Sequence, residues 1–131
     1  MFVNGSKFKK LLSELTFIAI ENGWDSDDFI IYGSAPLHII GKIGDVSDID
    51  VVLRKDKWPK NWKPNHHVIG DIEFFDRWCP KLYGNEQTAE KLINDHSFLY
   101  DGVYFVNPKN VMDYKIKLNR KKDQNILNKP F

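Results

Sequence analysis

The chain has 131 residues, of which 42% are hydrophobic and 28% charged, and its 19 basic residues nearly balance its 18 acidic ones. A chain of this length builds one hydrophobic core but not two, so we expect a single domain over residues 1–131. The near-neutral charge does not predict nucleic-acid binding, and the single cysteine, Cys79, excludes a disulfide scaffold and argues against a cysteine-rich zinc site.

The sequence features that bear on location predict a cytoplasmic protein. A single cysteine fits a reducing compartment. No stretch approaches the ~20 consecutive apolar residues of a membrane span, so we expect no membrane partner. The opening segment "MFVNGSKFKKLLSEL" soon introduces an acidic residue, which is not typical of a signal peptide.

The first part of the chain predicts a helix followed by a buried strand. Apolar residues recur at helical spacing over 6–22, and Gly23 stands where a C-terminal cap belongs. The segment "FIIY" (29–32) is short, β-branched and aromatic, which indicates a buried strand. Gly33 and Ser34 end that strand, and Ser34 is suited to cap a short helix through "APLHII".

The remaining elements alternate between strands and helices. In chain order we expect a strand "DIDVVL" (48–53), a long connection (54–67), a strand "VIGDIEFF" (68–75), a helix "TAEKLINDH" (88–96), a strand or extended segment "VYFV" (103–106) and a helix from Pro108 that breaks near Asn119. This order predicts an α/β or α+β domain with a small mixed sheet flanked by helices.

Two aspartates interrupt the second predicted strand. Residues i and i+2 of a strand point to the same face, so Asp48 and Asp50 share a face while Ile49 and Val51 point into a core. Two adjacent carboxylates repel each other and lose hydration, and a cation between them relieves both costs. The absence of soft ligands nearby favours Mg²⁺ or Mn²⁺.

A third carboxylate from an adjacent strand would complete a site for phosphoryl transfer. The segment "VIGDIEFF" offers Asp71 and Glu73, which share a face by the same alternation. We place Glu73 first, because it is flanked by Ile72 and Phe74, and Asp71 second.

Gly33 and Ser34 form the other half of the predicted site. The first N–H groups of a helix lack partners within the helix, and the helix dipole favours an anion there. Glycine lets a phosphate approach the backbone closely, and Ser34 adds a hydroxyl. A phosphate pocket thirteen residues before Asp48 is a coherent arrangement for a nucleoside triphosphate.

These motifs resemble the nucleotidyltransferase superfamily of DNA polymerase beta type. Its pattern is hG[GS], a short spacer, Dh[DE]h and a later h[DE]h, and the resemblance covers residues 29 to 75. The basic tail, with Lys115, Arg120 and Asp123, is similar to the helix of small bacterial and phage members, including nucleotidyltransferase-like toxins.

The resemblance implies transfer of a nucleoside monophosphate from NTP to an acceptor hydroxyl on RNA, a protein or a small molecule. It implies that Gly33 and Ser34 hold phosphates and that Asp48, Asp50 and Glu73 or Asp71 bind Mg²⁺ or Mn²⁺. It also implies that a lysine of the tail neutralises triphosphate charge; Lys115 is the first choice and Lys117 the rival. A solvated helix surface is the alternative for that basic tail.

Two alternative functions stay open from the sequence. The chain could be an inactive nucleotide- or nucleic-acid-binding module of a toxin–antitoxin or phage-defence system, with a partner protein. It could instead be a metal-dependent nuclease that uses the same carboxylates.

Trp58 and Trp62, interleaved with lysines in the connection 54–67, could stack on bases or pack onto the sheet.

Overall fold

A computed structural model describes residues 6–78 and 87–118, and its mixed α/β fold confirms the predicted class. The described residues form four α-helices: α1 (Ser6–Asn22), α2 (Ala35–Ile39), α3 (Ala89–Asp95) and α4 (Pro108–Leu118). They also form six strands: β1 (Phe29–Tyr32), β2 (Ile49–Leu53), β3 (His66–Ile69), β4 (Ile72–Phe75), β5 (Ser97–Tyr100) and β6 (Val103–Val106).

The six strands form one mixed sheet in the order β3-β4-β2-β1-β6-β5. The central strands β1 and β2 pair antiparallel, β2 pairs parallel with β4, and β1 pairs parallel with β6. An antiparallel hairpin forms each edge of the sheet, β3 with β4 at one edge and β5 with β6 at the other. The ends of β1 and β2 that carry the sequence motifs therefore lie in the middle of the sheet.

Alternation along the strands gives the sheet two buried faces. Ile31, Val51 and Phe74 lie on one face, where they pack with α1. The neighbouring residues Ile30 and Val52 lie on the other face, with buried residues of α2, α3 and α4. We call these the α1 face and the α3–α4 face.

Helix α1 has the bounds that its apolar spacing predicts. Gly23 has a φ of +71° and forms the predicted cap, because its N–H donates to Ile20 O while the N–H of Trp24 donates to Ala19 O. The start of the helix is held by a distant residue, since the backbone N–H groups of Lys7 and Phe8 donate to the Asp45 carboxylate at 3.3 and 3.2 Å.

The predicted single strand over 68–75 is wrong, because the structure has a hairpin there. Gly70 and Asp71 form a turn between β3 and β4, and Gly70 has a φ of +58° that favours glycine. A second hairpin was missed: Asp101 and Gly102, with φ of +52° and +75°, turn the chain between β5 and β6. An Asp-Gly pair between apolar runs is a hairpin signal, so β5 was readable from sequence.

Trp58 and Trp62, in the connection 54–67, pack onto the sheet. Packing was one of the two alternatives that the sequence left open, the other being stacking on bases. The Trp62 ring lies 4.8 Å from the Phe74 ring and 5.8 Å from the Trp24 ring, and Trp58 lies 5.4 Å from Trp62. Both tryptophans join the core of the α1 face, so they lie on the opposite side of the sheet from Asp50.

Some expectations fall on residues outside the described part. These are Cys79, the break near Asn119, and the tail residues Arg120 and Asp123; the side chain of Lys117 is also outside it. Within the described ranges, no helix combines the length and apolar character that crossing a membrane requires.

Candidate functional site

Asp50 occupies the centre of the candidate site, on the middle of the sheet. It pairs with Tyr32 of β1 on one side and with Glu73 of β4 on the other. Directly paired residues project from the same face of a sheet, so these three side chains form a row. Ile49 and Val51 are buried on the α1 face, which places the row on the α3–α4 face.

The carboxyl groups of Asp50 and Glu73 lie next to each other on paired strands and affect each other electrostatically. Burial raises the pKa of Asp50 to about 7, and the negative charges of Asp48 and Glu73 and a hydrogen bond with Glu73 act in the same direction. Burial and the neighbouring negative charges therefore both favour the protonated form of Asp50. Two neighbouring carboxyl groups repel each other when both are ionised, so this site favours a bound cation.

The backbone of Gly33 lies directly against this pair. Gly33 has a φ of +76°, and a Cβ atom built on it would come within 2.6 Å of Asp50 Oδ2. Both the left-handed backbone and the close approach require glycine at this position. The end of β1 and the carboxylate of β2 therefore lie against each other, so the Gly-Ser and Asp-x-Asp motifs meet in space.

Ser34 stands at the predicted N-cap position of α2, but its side chain makes no cap hydrogen bond. Its carbonyl accepts from the N–H groups of Leu37 and His38 at 3.0 and 3.1 Å, which closes the first turn. The half-buried hydroxyl of Ser34 is thus not used by the helix that it begins.

Helix α4 brings a buried lysine to the same face. Lys115 is 5% exposed, and its positive charge opposes the other influences on Asp50 by lowering the pKa of that carboxyl. The alternative of a solvated helix surface therefore does not describe Lys115.

The other two acidic candidates lie differently. Asp48 precedes β2 and is exposed, yet its charge reaches Asp50. Asp71 lies in the turn between β3 and β4 and is 56% exposed; its Oδ2 is 3.0 Å from Lys7 Nζ of α1. The structure therefore brings Asp50 together with Glu73, whereas Asp71 is engaged by the helix of the opposite face.

The donor atoms are all carboxylate oxygens, which are the ligands that Mg²⁺ and Mn²⁺ prefer. The adjacent pair Asp50 and Glu73 fits such an ion, because a cation offsets the repulsion between two neighbouring carboxylates. In the described part of the chain, no group of three or more His, Cys, Asp or Glu side chains is arranged to hold a metal ion. Asp48 is thus near the pair but not gathered with it.

Aromatic residues that sequence reasoning did not assign to the site line it on one side. The ring of Tyr32 lies 5.9 Å from Phe75 and 5.1 Å from Trp78, and Trp78 lies 5.0 Å from Tyr114. Burial, followed by the negative charge of Asp50, raises the pKa of Tyr32 far above its ordinary value, so its hydroxyl remains a donor. Its position just before Gly33 was the available sequence signal.

His66 is a second residue that the sequence did not mark. The sequence placed it in a connecting loop, but it begins β3, and its Nε2 lies 3.0 Å from Glu73 Oε1. Only the hairpin register brings these two side chains together, because they are seven positions apart in the chain.

Comparisons with protein families, with curated proteins and with solved structures found no match to this chain.

Proposed function

We propose that this chain is a metal-dependent nucleotidyltransferase of DNA polymerase beta type, which moves a nucleoside monophosphate from NTP to an acceptor hydroxyl and releases pyrophosphate. The observation that carries the proposal is the parallel pairing of Asp50 with Glu73, directly against the backbone of Gly33. This contact joins an acidic pair to a turn suited to phosphate.

Each residue has a role that its position supports. Asp50 and Glu73, with Asp48 beside them, would hold Mg²⁺ or Mn²⁺, and the bound ion would neutralise negative charge on the phosphates. The backbone at Gly33 and the hydroxyl of Ser34 would bind phosphate oxygens. Lys115 would neutralise triphosphate charge from the side of α4, with Lys117 as the rival.

Glu73 is the residue best placed to receive the proton of the acceptor hydroxyl. It lies on β4, one strand further than Asp50 from the Gly33 turn, so it stands on the side of the pair away from the proposed phosphate pocket. A carboxylate within hydrogen-bond reach of a hydroxyl serves as a general base. The acceptor would be RNA, a protein or a small molecule, and the single cysteine and the use of NTP support a cytoplasmic location.

A second candidate is a nucleotide-binding module without turnover, acting with a partner protein. The exposed position of Asp48 and the lack of a three-residue metal cluster in the described part of the chain favour it. Both candidates predict nucleotide binding, and only the first predicts release of pyrophosphate.

A thermal-shift titration with each NTP, with and without Mg²⁺ or Mn²⁺, tests the proposal. A ligand at 100 times its dissociation constant adds ~2.7 kcal/mol of stability. We expect stabilisation that needs the cation and is lost in Asp50→Asn, while Asp71→Asn, a carboxylate outside the row, behaves as wild type. Absence of any NTP-dependent shift in the wild type would overturn both candidates, and binding without pyrophosphate release would leave the second.

A further inference from the structure

His66 lies on the edge strand β3, next to the row formed by Tyr32, Asp50 and Glu73. His66 Nε2 lies 3.0 Å from Oε1 of Glu73, and a carboxylate accepts this hydrogen bond from the tautomer that carries its N–H on Nε2. The contact is diagonal across the hairpin, since Glu73 pairs directly with Val68 and His66 pairs directly with Phe75.

The imidazole ring is itself held in place. It stacks on Phe75 with ring centroids 4.5 Å apart and an angle of 7° between the ring planes. This stacking orients a side chain that is otherwise 46% exposed. The hydrogen bond to Glu73 is therefore made by a donor that packing has already oriented.

Glu73 needs such a restraint more than Asp50 does. Its side chain is 33% exposed and has one more rotatable bond than that of Asp50. Without His66, only the interaction with Asp50 would keep it from rotamers directed towards solvent. Asp50 is restricted by its closer surroundings, including the backbone of Gly33.

We propose that His66 is a positioning residue, which holds the carboxylate of Glu73 towards Asp50. His66 acts through Glu73 and not on the nucleotide, and its importance for the reaction rests on the proposed function. Mutating the hydrogen-bond partner of a metal-ligating side chain typically weakens metal binding ten- to a hundredfold, and we expect an effect of this size at His66.

Three substitutions separate the hydrogen bond from the packing. His66→Phe keeps a ring on Phe75 and removes the N–H donor, whereas His66→Gln keeps an N–H donor and removes the ring. The control is His67→Phe. His67 stacks on Trp62 at 4.5 Å and accepts from the backbone N–H of Lys63, so this variant loses a hydrogen bond away from Glu73.

The first measurement is the rotamer distribution of Glu73 in the metal-free protein, from NMR three-bond couplings. We expect one dominant rotamer in the wild type and in His67→Phe, a weaker preference for it in His66→Gln, whose donor has lost the orienting ring, and rotamer averaging in His66→Phe. This measurement needs neither a bound ion nor activity. It therefore decides the role of His66 even if the proposed function fails.

The second measurement is the Mn²⁺ dissociation constant of each protein by calorimetry. We expect His66→Phe to bind Mn²⁺ about tenfold more weakly than wild type, His66→Gln to have an intermediate affinity, and His67→Phe to stay close to wild type. The inference is overturned if Glu73 keeps one rotamer in His66→Phe, or if the wild type binds Mn²⁺ and His66→Phe binds it equally tightly. It is also overturned if His66→Gln is impaired as much as His66→Phe. A wild type that binds no Mn²⁺ would count against the proposed function instead.

Discussion

The carboxylate of Asp50 lies so close to Gly33 that a Cβ atom on Gly33 would come within 2.6 Å of Asp50 Oδ2. The turn at the end of β1 and the acidic residue in the middle of β2 therefore constrain each other. A change at either residue should alter both the stability of the fold and the shape of the site.

The closeness of Gly33 to Asp50 predicts that Gly33→Ala costs more than backbone strain alone. Gly23 provides the matched control, because its φ of +71° resembles the +76° of Gly33 but nothing lies within 4 Å of its added Cβ. We expect each alanine to lower the free energy of unfolding by ~1–2 kcal/mol through the left-handed backbone. Gly33→Ala should lose more, because the Asp50 carboxylate must move.

Urea denaturation of the two alanine variants measures this difference, and NTP titration shows its effect on the site. Loss of nucleotide binding is expected in Gly33→Ala and not in Gly23→Ala. Equal losses of stability with unchanged binding in both would show that the contact with Asp50 is not constraining.

The raised pKa of Asp50 predicts that the fold loses stability as the pH rises. The pKa of Asp50 is about 7 in the folded protein and has its ordinary value of 3.8 in the unfolded chain, so between these values the folded state holds a proton that the unfolded state has released. The stabilisation is fully present below the unfolded pKa and is lost as the pH rises through about 7. At pH 8 without divalent cation, Asp50→Asn should be more stable than wild type by on the order of 2–4 kcal/mol.

Urea denaturation at pH 5 and pH 8 in the presence of a chelator measures the pH dependence. Asp71→Asn is the control, because that carboxylate is exposed and paired with Lys7, and it should retain the wild-type slope. The same pH slope in Asp50→Asn as in wild type would contradict the assignment of the raised pKa to Asp50.

The contact between Asp45 and the start of α1 predicts an acid-sensitive helix cap. Although desolvation opposes ionisation, hydrogen bonds from the N–H groups of Val46, Lys7 and Phe8 hold the pKa of Asp45 below its usual range. The stability from the charged cap is present above the unfolded pKa and is lost as the pH falls through the folded pKa. Asp45→Ala should cost ~1 kcal/mol near neutral pH.

Asp45→Asn separates the charge from the acceptor oxygen. It should cost less than Asp45→Ala and should lose less stability than wild type on acidification, as followed by circular dichroism during urea denaturation. If both variants were as stable as wild type at pH 7, the cap would contribute nothing to the fold.

The burial of Lys115 beside Asp50 predicts a specific role in nucleotide binding. Lys115→Met keeps much of the side-chain volume and removes the charge, so NTP affinity in the presence of Mg²⁺ should fall about tenfold, or ~1.4 kcal/mol. The control is Lys109→Met, an exposed lysine on the same helix. Calorimetric titration with ATP and GTP measures both, and equal affinities would assign Lys115 a structural role only.

The sequence by itself determined the local features of this protein. The strands "FIIY" and "VYFV" and the helix over 6–22 have the predicted bounds, because apolar periodicity and glycine caps are properties of neighbouring residues. Strand alternation also placed Asp50 on the face opposite Ile49 and Val51.

Only the tertiary structure decided which distant residues meet Asp50. Strand alternation puts Asp71 and Glu73 on one face, and only the apolar neighbours of Glu73 rank it first. The hairpin turn at Gly70 separates them: Glu73 pairs with Asp50, and Asp71 contacts Lys7. The positions of His66 and Lys115 likewise depend on strand register and helix packing. These follow from burial between segments far apart in the chain, which no local spacing encodes.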